Sequence, residues 1–600
     1  MSEARPRAAR HRRPRAVLRY WTVLPLILFL VILFVYPIAD LLWQSVLSAE
    51  GDLSPEHYVK IAQTPVWLHV MAITFEISAW TTVFCILAAY PVAYLLATTR
   101  ESTRNQLILW VMLPFWTSFL VRTFAWIVLL AQKGPVNRLV AALGLSDAPL
   151  TLIYNFTGVM IGMVHALMPL AVLTMLSVMT TIDPRLRSAA AILGARGGEA
   201  FWRIYFPLSL PGVAAAALMV FITALGFFIT PALLGGRRET MISQVIIVQV
   251  QDLLNWGFAG ALSVVLLAAA LVIFILYDRL LGLSTLSGSA RAAGGGAQGW
   301  IGRIGARLGT AIVAVLGRAC DIVQIAWERI RPVRGSRPRR PVARIVLWVT
   351  SLLLIGFLVL PALIVVPVSF TAGQFVNFPP EGFSLRWYEL YFSAPTWVEA
   401  TIRSFVVAGL TGVLAMLLGV PAAFMLTRMR ARGKGALLAL ILSPLIIPRI
   451  IVAVALYIVY ARIGLVGTSA GLVLGHTVLA VPYVVITMMA VLKTYDERLD
   501  QAAASLGAPP WRTLVHITFP LIRSGMIASF LFAFITSFDE LTIALFVSGG
   551  LVSTLPRQMW NDMLLQVNPT LAAVSTTMLV VITVIIIAAE YLRRRSARGS

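Results

Sequence analysis

Charge is scarce in this chain. Asp, Glu, Lys and Arg together make up 12% of its 600 residues, against about 25% in an ordinary soluble domain. With 59% hydrophobic residues and a mean hydropathy of +0.88, that shortage excludes a soluble globular protein. Cysteine is nearly absent: only Cys85 and Cys320 occur, which excludes a disulfide framework and a thiolate metal cluster. No G-x-x-x-x-G-K-[ST] phosphate loop, no H-E-x-x-H and no Ser-His-Asp arrangement is present, so the chain is expected neither to bind ATP nor to catalyse a reaction, and no cofactor or metal is expected. The net charge of +23 is not a nucleic-acid signature, because the basic residues fall in short clusters between apolar runs of about 20 residues.

What is present is a series of apolar runs near 22–43, 71–97, 107–130, 153–180, 207–233 and 257–277, and again near 345–369, 402–427, 435–460, 471–492, 521–547 and 568–591. The first is too long for a signal-peptide core and lacks a small-residue cleavage site, so it reads as a retained span. The expected fold is an all-α polytopic membrane protein with about twelve spans in two parallel six-helix repeats. Even numbers of spans put the N-terminus, the 278–344 linker and the C-terminal "RRRSARGS" on one side. That side is Arg-rich, with eleven Arg against Asp321 and Glu328 between 281 and 344, and the positive-inside rule makes it cytoplasmic. Arg237 and Arg238 in "GGRRET" run against the rule, because they fall on the outer side.

The halves repeat one another. At an offset of 330, "AAYPVAYLLATTR" (88–100) matches "LGVPAAFMLTRMR" (418–430). At an offset of 313, "DPRLRSAAAILGARGGEAFWRIYFPL" (183–208) matches "DERLDQAAASLGAPPWRTLVHITFPL" (496–521) at 13 of 26 positions. The difference assigns 17 extra residues to the first half, in the outer loop 132–152. The expected organisation is a basic cytoplasmic tail (1–20), a first half (21–280), an Arg/Gly-rich linker (281–343), a second half (344–592) and a basic tail (593–600). Within the linker, Arg318, Asp321, Gln324 and Glu328 share one face of residues 310–330, which suggests an amphipathic helix on the inner membrane surface.

The repeated segment lies between spans on the cytoplasmic side. Asp183 or Asp496 is suited to cap a short Ala-rich helix, Gly-Gly or Pro-Pro then breaks it, and Ile204-Pro207 or Ile517-Pro520 leads into the next span. Ala189, Ala190 and Gly194, like Ala502, Ala503 and Gly507, offer a small-residue surface that another protein can approach closely. A bare chain reversal needs only a few residues and does not explain two matched copies.

This spacing resembles the EAA motif of ABC-importer permeases, whose loop couples the membrane helices to a cytoplasmic ATPase. The resemblance implies a type I importer permease fold in a bacterial inner membrane, two ABC ATPase subunits or a homodimer as partners, and a periplasmic substrate-binding protein. Ser188 and Gln501 replace the motif's acidic residue, so an ion pair to the ATPase at that position is not expected. Residues 221–266 and 534–580 further resemble the spermidine/putrescine permease pair, with opine, phosphonate and ferric-iron permeases sharing much of the pattern. Polyamine or another small cationic cargo is therefore the expected substrate.

Asp539 and Glu540 interrupt an apolar run, and a carboxylate at membrane depth normally faces a water-filled path or a partner. Two readings remain: a cation path, joined by Glu76 and by the aromatics Phe227, Phe228 and Phe538, or carboxylates that hold helix ends. His165 and His476 stand two positions out of register between the halves and read as structural. An ion-coupled secondary transporter is the rival class, but it gives no reason for two matched cytoplasmic loops.

Overall fold

A computed structural model describes residues 21–48, 50–193, 200–281, 322, 326, 342–380, 382–428, 433–549, 552–565 and 568–598. The linker with its expected amphipathic helix at 310–330 therefore lies outside the described residues, apart from Ile322 and Ala326. Among the described residues no strand forms and helices carry the whole architecture. That follows from the medium, since a segment in hydrocarbon must satisfy its backbone polar groups internally.

The first half contains α1 (Leu24–Gln44), α2 (Glu56–Gln63), α3 (Pro65–Thr98), α4 (Glu101–Met112), α5 (Phe119–Leu130), α6 (Pro135–Ala142), α7 (Phe156–Met179), α8 (Arg185–Ile192), α9 (Phe201–Leu225), α10 (Ile229–Leu234), α11 (Ile242–Gln251) and α12 (Trp256–Leu281). The second contains α13 (Val342–Val368), α14 (Arg386–Ser393), α15 (Pro395–Arg428), α16 (Lys434–Ile446), α17 (Arg449–Ile463), α18 (Ser469–Thr494), α19 (Arg498–Ser505), α20 (Pro510–Phe538), α21 (Thr542–Val547), α22 (Leu555–Leu565) and α23 (Pro569–Arg598). Each helix of one half has a counterpart in the other except α6, which lies inside the segment where the offset shift places the extra residues.

Among the described residues ten helices are long and apolar enough to cross a membrane, or eleven if the bent pair α16 and α17 counts as one, and the apolar stretch of α23, Pro569–Ile585, falls at the twelfth expected run. Two expected spans, 107–130 and 435–460, are not continuous. Pro114 and Pro444 stand at equivalent places. The chain passes through a 3-10 turn at Leu113–Trp116 in one half and bends by 96° between α16 and α17 in the other. A proline inside a helix removes one backbone hydrogen bond and clashes with the preceding turn. The runs 207–233 and 521–547 are also interrupted, after Leu225 and after Phe538.

Two pairs of helix starts are capped alike in both halves. The Thr74 hydroxyl accepts the backbone N–H of Ile242 at 2.9 Å, and the Ser404 hydroxyl accepts that of Leu555 at 2.7 Å. Asn155 caps α7 by accepting from Gly158, as Thr468 caps α18 by accepting from Gly471. These side chains satisfy amides that a helix start leaves without partners.

Close helix contact is duplicated as well. A Cβ at Gly212 would lie 2.9 Å from Cβ of Val178, and one at Gly525 would lie 2.5 Å from Cγ2 of Val491. Only glycine lets α9 approach α7, and α20 approach α18, this closely, which is how membrane helices gain packing energy without a hydrophobic effect between them.

The chain divides into two compact units that do not follow the repeats. One joins residues 1–41 to 399–557 and 585–600, so α1 packs against α17 and α18, with an Arg462–Asp40 ion pair of 3.1 Å between them. The other comprises 42–398 and 558–584, so α13 packs against α3, α4 and α5. Buried His165 of α7 donates from Nε2 to the Leu358 carbonyl of α13 at 3.1 Å, one residue from the Phe357 carbonyl that Pro361 leaves without its helical partner. Trp126 and Phe357 pack edge-on or tilted around the imidazole.

Gly525→Leu should cost about 1–3 kcal/mol through overpacking and lower the thermal unfolding midpoint of the detergent-solubilised chain. An unchanged midpoint would show that the α18–α20 contact is looser than described.

Candidate functional site

The repeated segment folds the same way in both halves wherever it is described. The Asp183 carboxylate accepts the backbone N–H of Arg185, and the Asp496 carboxylate that of Arg498, each at 2.9 Å. Short helices α8 and α19 follow. The paired alanines divide their tasks: Ala189 and Ala502 are exposed, whereas Ala190 and Ala503 are buried against the chain itself. Ser188 and Gln501 are exposed too.

Gly194, Arg196 and Glu199 lie outside the described residues, so the glycine's role is legible only in the second copy. There Gly507 has φ +84°. Ala508 N–H bonds to the Ala503 carbonyl, and Gly507 N–H to the Ala504 carbonyl. This is the pairing that ends a helix with a left-handed residue, a conformation glycine adopts without Cβ strain. Pro509 and Pro510 then turn the chain into α20.

Ile204 and Ile517 are half-buried; Pro207 is half-buried and Pro520 exposed. Each proline sits just past a π turn, Phe201–Tyr205 or Leu514–Thr518. In these turns Phe206 N–H reaches the Phe201 carbonyl, and Phe519 N–H reaches the Leu514 carbonyl. The widened turn accommodates a residue that cannot donate to the regular ladder.

Beyond the motif residues, the most exposed large side chains of these loops are leucines at equivalent positions: Leu193 and Leu506 are each 87% exposed. Fully exposed leucines at matching places, beside small residues, form the kind of surface a protein partner covers.

The second loop also holds a polar cluster that the sequence reading missed. Asp500 of α19 accepts from Arg428 Nη2 at 2.7 Å, from the Tyr495 hydroxyl at 2.6 Å and from the Thr518 hydroxyl at 3.0 Å. Arg428 Nε also lies 3.2 Å from Glu497. Partial burial pushes the Asp500 carboxyl up, but the three hydrogen bonds and the Arg428 charge outweigh it, so the group lies below the ordinary carboxylate value. Its attachment is therefore fully present at neutral pH and is lost only as pH falls through that lowered value. The cluster edges a cleft of about 450 Å³ lined by Phe424, Ala504, Trp511 and Leu514 among others.

The expected membrane path is placed less simply. Glu540 is 1% exposed and accepts backbone N–H groups from Thr542, Ile543 and Ala544 at 3.0, 2.8 and 3.3 Å. It caps α21 and stands 3.7 Å from His476, whose Nδ1 is 2.8 Å from the Ser537 hydroxyl. Of the two readings offered by its sequence, this geometry is the helix-end one. Asp539 is half-buried at the C-terminus of α20, and Phe538 is buried against Phe405 and Phe534. Glu76 is exposed on α3, and Phe227 is buried edge-on to Phe119; Phe228 meets Trp560. Glu76 and Phe227 belong to one compact unit, Asp539, Glu540 and Phe538 to the other. A duplicated ring pair also emerges: Phe75 with Phe221 at 6.4 Å, and Phe405 with Phe534 at 6.0 Å. Offset arithmetic on the sequence could have found it.

The family profile described as "Binding-protein-dependent transport system inner membrane component" matches residues 86–284 and 413–598, more than half of the chain and once in each half. The chain belongs to this family. It is thus a transport subunit of an inner membrane rather than an enzyme, and it works with a substrate-binding protein and ATPase subunits. Among named relatives, the spermidine/putrescine permease PotB of Haemophilus influenzae is 33% identical over 37% of this chain and 78% of its own length. PotC of the same organism is 31% identical over 37% and 86%, and the putrescine permease PotI of Escherichia coli 31% over 42% and 92%. Each relative aligns with less than half of this chain, as expected if two such subunits are joined. A bacterial ABC transporter that imports alginate superimposes on 45% of the chain and 96% of its own, with a TM-score of 0.40 and 18% identity.

Glu540→Ala should destabilise the chain by about 1–3 kcal/mol, because buried amides lose their acceptor, with Glu540→Gln milder. Thermal unfolding in detergent reads this directly, and equal midpoints for both variants and wild type would remove the capping role.

Proposed function

We propose that the chain is the fused translocation subunit of a polyamine importer, with both ATPase contacts on one polypeptide. The loops 183–207 and 496–520 each dock one ATPase subunit, as two different subunits or as a homodimer. A periplasmic binding protein delivers spermidine or putrescine to the outer face. ATP-driven closure of the ATPases then presses on the loops and rocks the halves to alternate access. Both termini and the linker lie in the cytoplasm, in keeping with their Arg content.

The observation that carries this reading is the pair of Leu193 and Leu506, equally exposed at equivalent positions on two loops of matching construction. Polyamine as cargo is supported by the similarity to the spermidine/putrescine permeases PotB and PotC and the putrescine permease PotI, and by the exposed carboxylate of Glu76. The exposed pair Arg237 and Arg238, assigned to the outer side, favours an anion such as phosphonate as the second reading. Opines and ferric iron are the other cargoes of similar permeases.

The test is uptake of labelled putrescine and spermidine by cells carrying this chain with its binding protein and ATPase. Gly507 is a poor site for substitution because its left-handed backbone would strain any side chain. Leu193→Asp/Leu506→Asp is cleaner, and should reduce uptake at least tenfold, equivalent to about 1.4 kcal/mol of lost docking energy. No uptake by wild type would overturn the polyamine cargo; full uptake by the double variant would overturn the docking role of the loops.

A further inference from the structure

The two loops share a backbone plan but are fastened to the spans by different chemistry. In the second half, Asp500 of α19 binds three elements at once: Arg428 at the last residue of α15, Tyr495 just past α18, and Thr518 in the π turn that opens α20. About a quarter of the Asp500 and Arg428 side chains is exposed, against 55% for Glu497. The pair is therefore partly shielded from water and salt. Because three donors converge on one carboxylate, displacing α19 from any one of the three spans would break the geometry of the others.

The first half cannot build this arrangement. Thr98, Ile182, Arg187 and Tyr205 occupy the equivalent positions. Ile182 has no donor, and Arg187 carries the opposite charge to Asp500. Among its described residues, α3 instead meets the head of α9 through edge-on rings: Tyr94 meets Phe201 at 5.3 Å and Tyr205 at 4.8 Å, and Tyr90 meets Phe201 at 6.1 Å. Ring contacts of this kind tolerate sliding better than a two-oxygen carboxylate that accepts three donors.

We propose that Asp500 is a positioning residue that locks the second ATPase-facing loop to the ends of three spans, so that this loop moves with them as one piece. The inference rests on the reading of these loops as the ATPase contacts. It makes the second loop a rigid strut.

The test uses the full chain with its ATPase subunits in lipid nanodiscs, with Cys85 and Cys320 replaced by Ala and spin labels at Ser505→Cys and Thr427→Cys. Pulsed electron spin resonance measures the distance between them in the nucleotide-free state and with ATP and vanadate. The expected result is one narrow distance, the same in both states. Asp500→Asn and Arg428→Ala should each lose that single peak, with the double variant no broader than either. Tyr495→Phe, which removes one hydroxyl and keeps the ring, guards against misfolding and should broaden the peak less. A wild-type distance that changes with nucleotide, or an Asp500→Asn peak as narrow as wild type, would overturn the proposal. Co-purification of the ATPase subunits is scored separately in Leu506→Asp. Retention there would refute the docking role of the loop, while the label distance would still decide whether Asp500 fastens α19.

Discussion

In hydrocarbon a backbone amide has no water to fall back on, and the rest of this structure depends on that constraint. Uninterrupted helices meet it automatically, but this chain breaks its helices repeatedly within or beside the membrane. Several of the helix starts are met by a nearby side-chain acceptor. Thr74 and Ser404 close one pair of helix starts, Asn155 and Thr468 another, and Glu540 serves three amides at the head of α21. A charged residue inside an apolar run thus has a structural reason to be there before any transport role is considered.

The same constraint explains what duplication preserved. The two paired sets of caps, Thr74 with Ser404 and Asn155 with Thr468, the close-contact glycines Gly212 and Gly525, the π turns before Pro207 and Pro520, and the ring pairs Phe75–Phe221 and Phe405–Phe534 recur at matching places. These are positions where backbone geometry or closest packing leaves few alternatives. Polar contacts between side chains are less constrained and have diverged. The Asp500 cluster exists in one half alone, His165 reaches the Leu358 carbonyl of α13, and His476 sits instead beside Ser537 and Glu540.

Much of this was legible in the sequence. The all-helical membrane fold, the two halves, the extra segment that holds α6 and the capped helix of the repeated loop follow from hydropathy, offset and turn chemistry, and the family match agrees with the resemblance carried by the loops. Other features were not legible. Hydropathy averages over a window, so it joined segments that Pro114, Pro444 and the Asp539-Glu540 break divide. Periodicity is a local signal and gives no hint that α1 packs with helices of the second half or α13 with those of the first. The Asp500 cluster draws on residues 428, 495, 500 and 518, too far apart for any local pattern to reveal. Exposure of Leu193 and Leu506 likewise appears only once their neighbours are in place.

The central claim is that both loops of one polypeptide meet the ATPase. It is tested most directly by placing a cysteine at Leu193 or at Leu506, in a chain lacking Cys85 and Cys320, and crosslinking it in membranes that contain the ATPase subunits. The account predicts that each single-cysteine chain crosslinks to an ATPase subunit, with comparable yield from the two positions. Failure of both, in correctly inserted protein, would contradict it, and a crosslink from one loop alone would show that the second copy is not an ATPase contact.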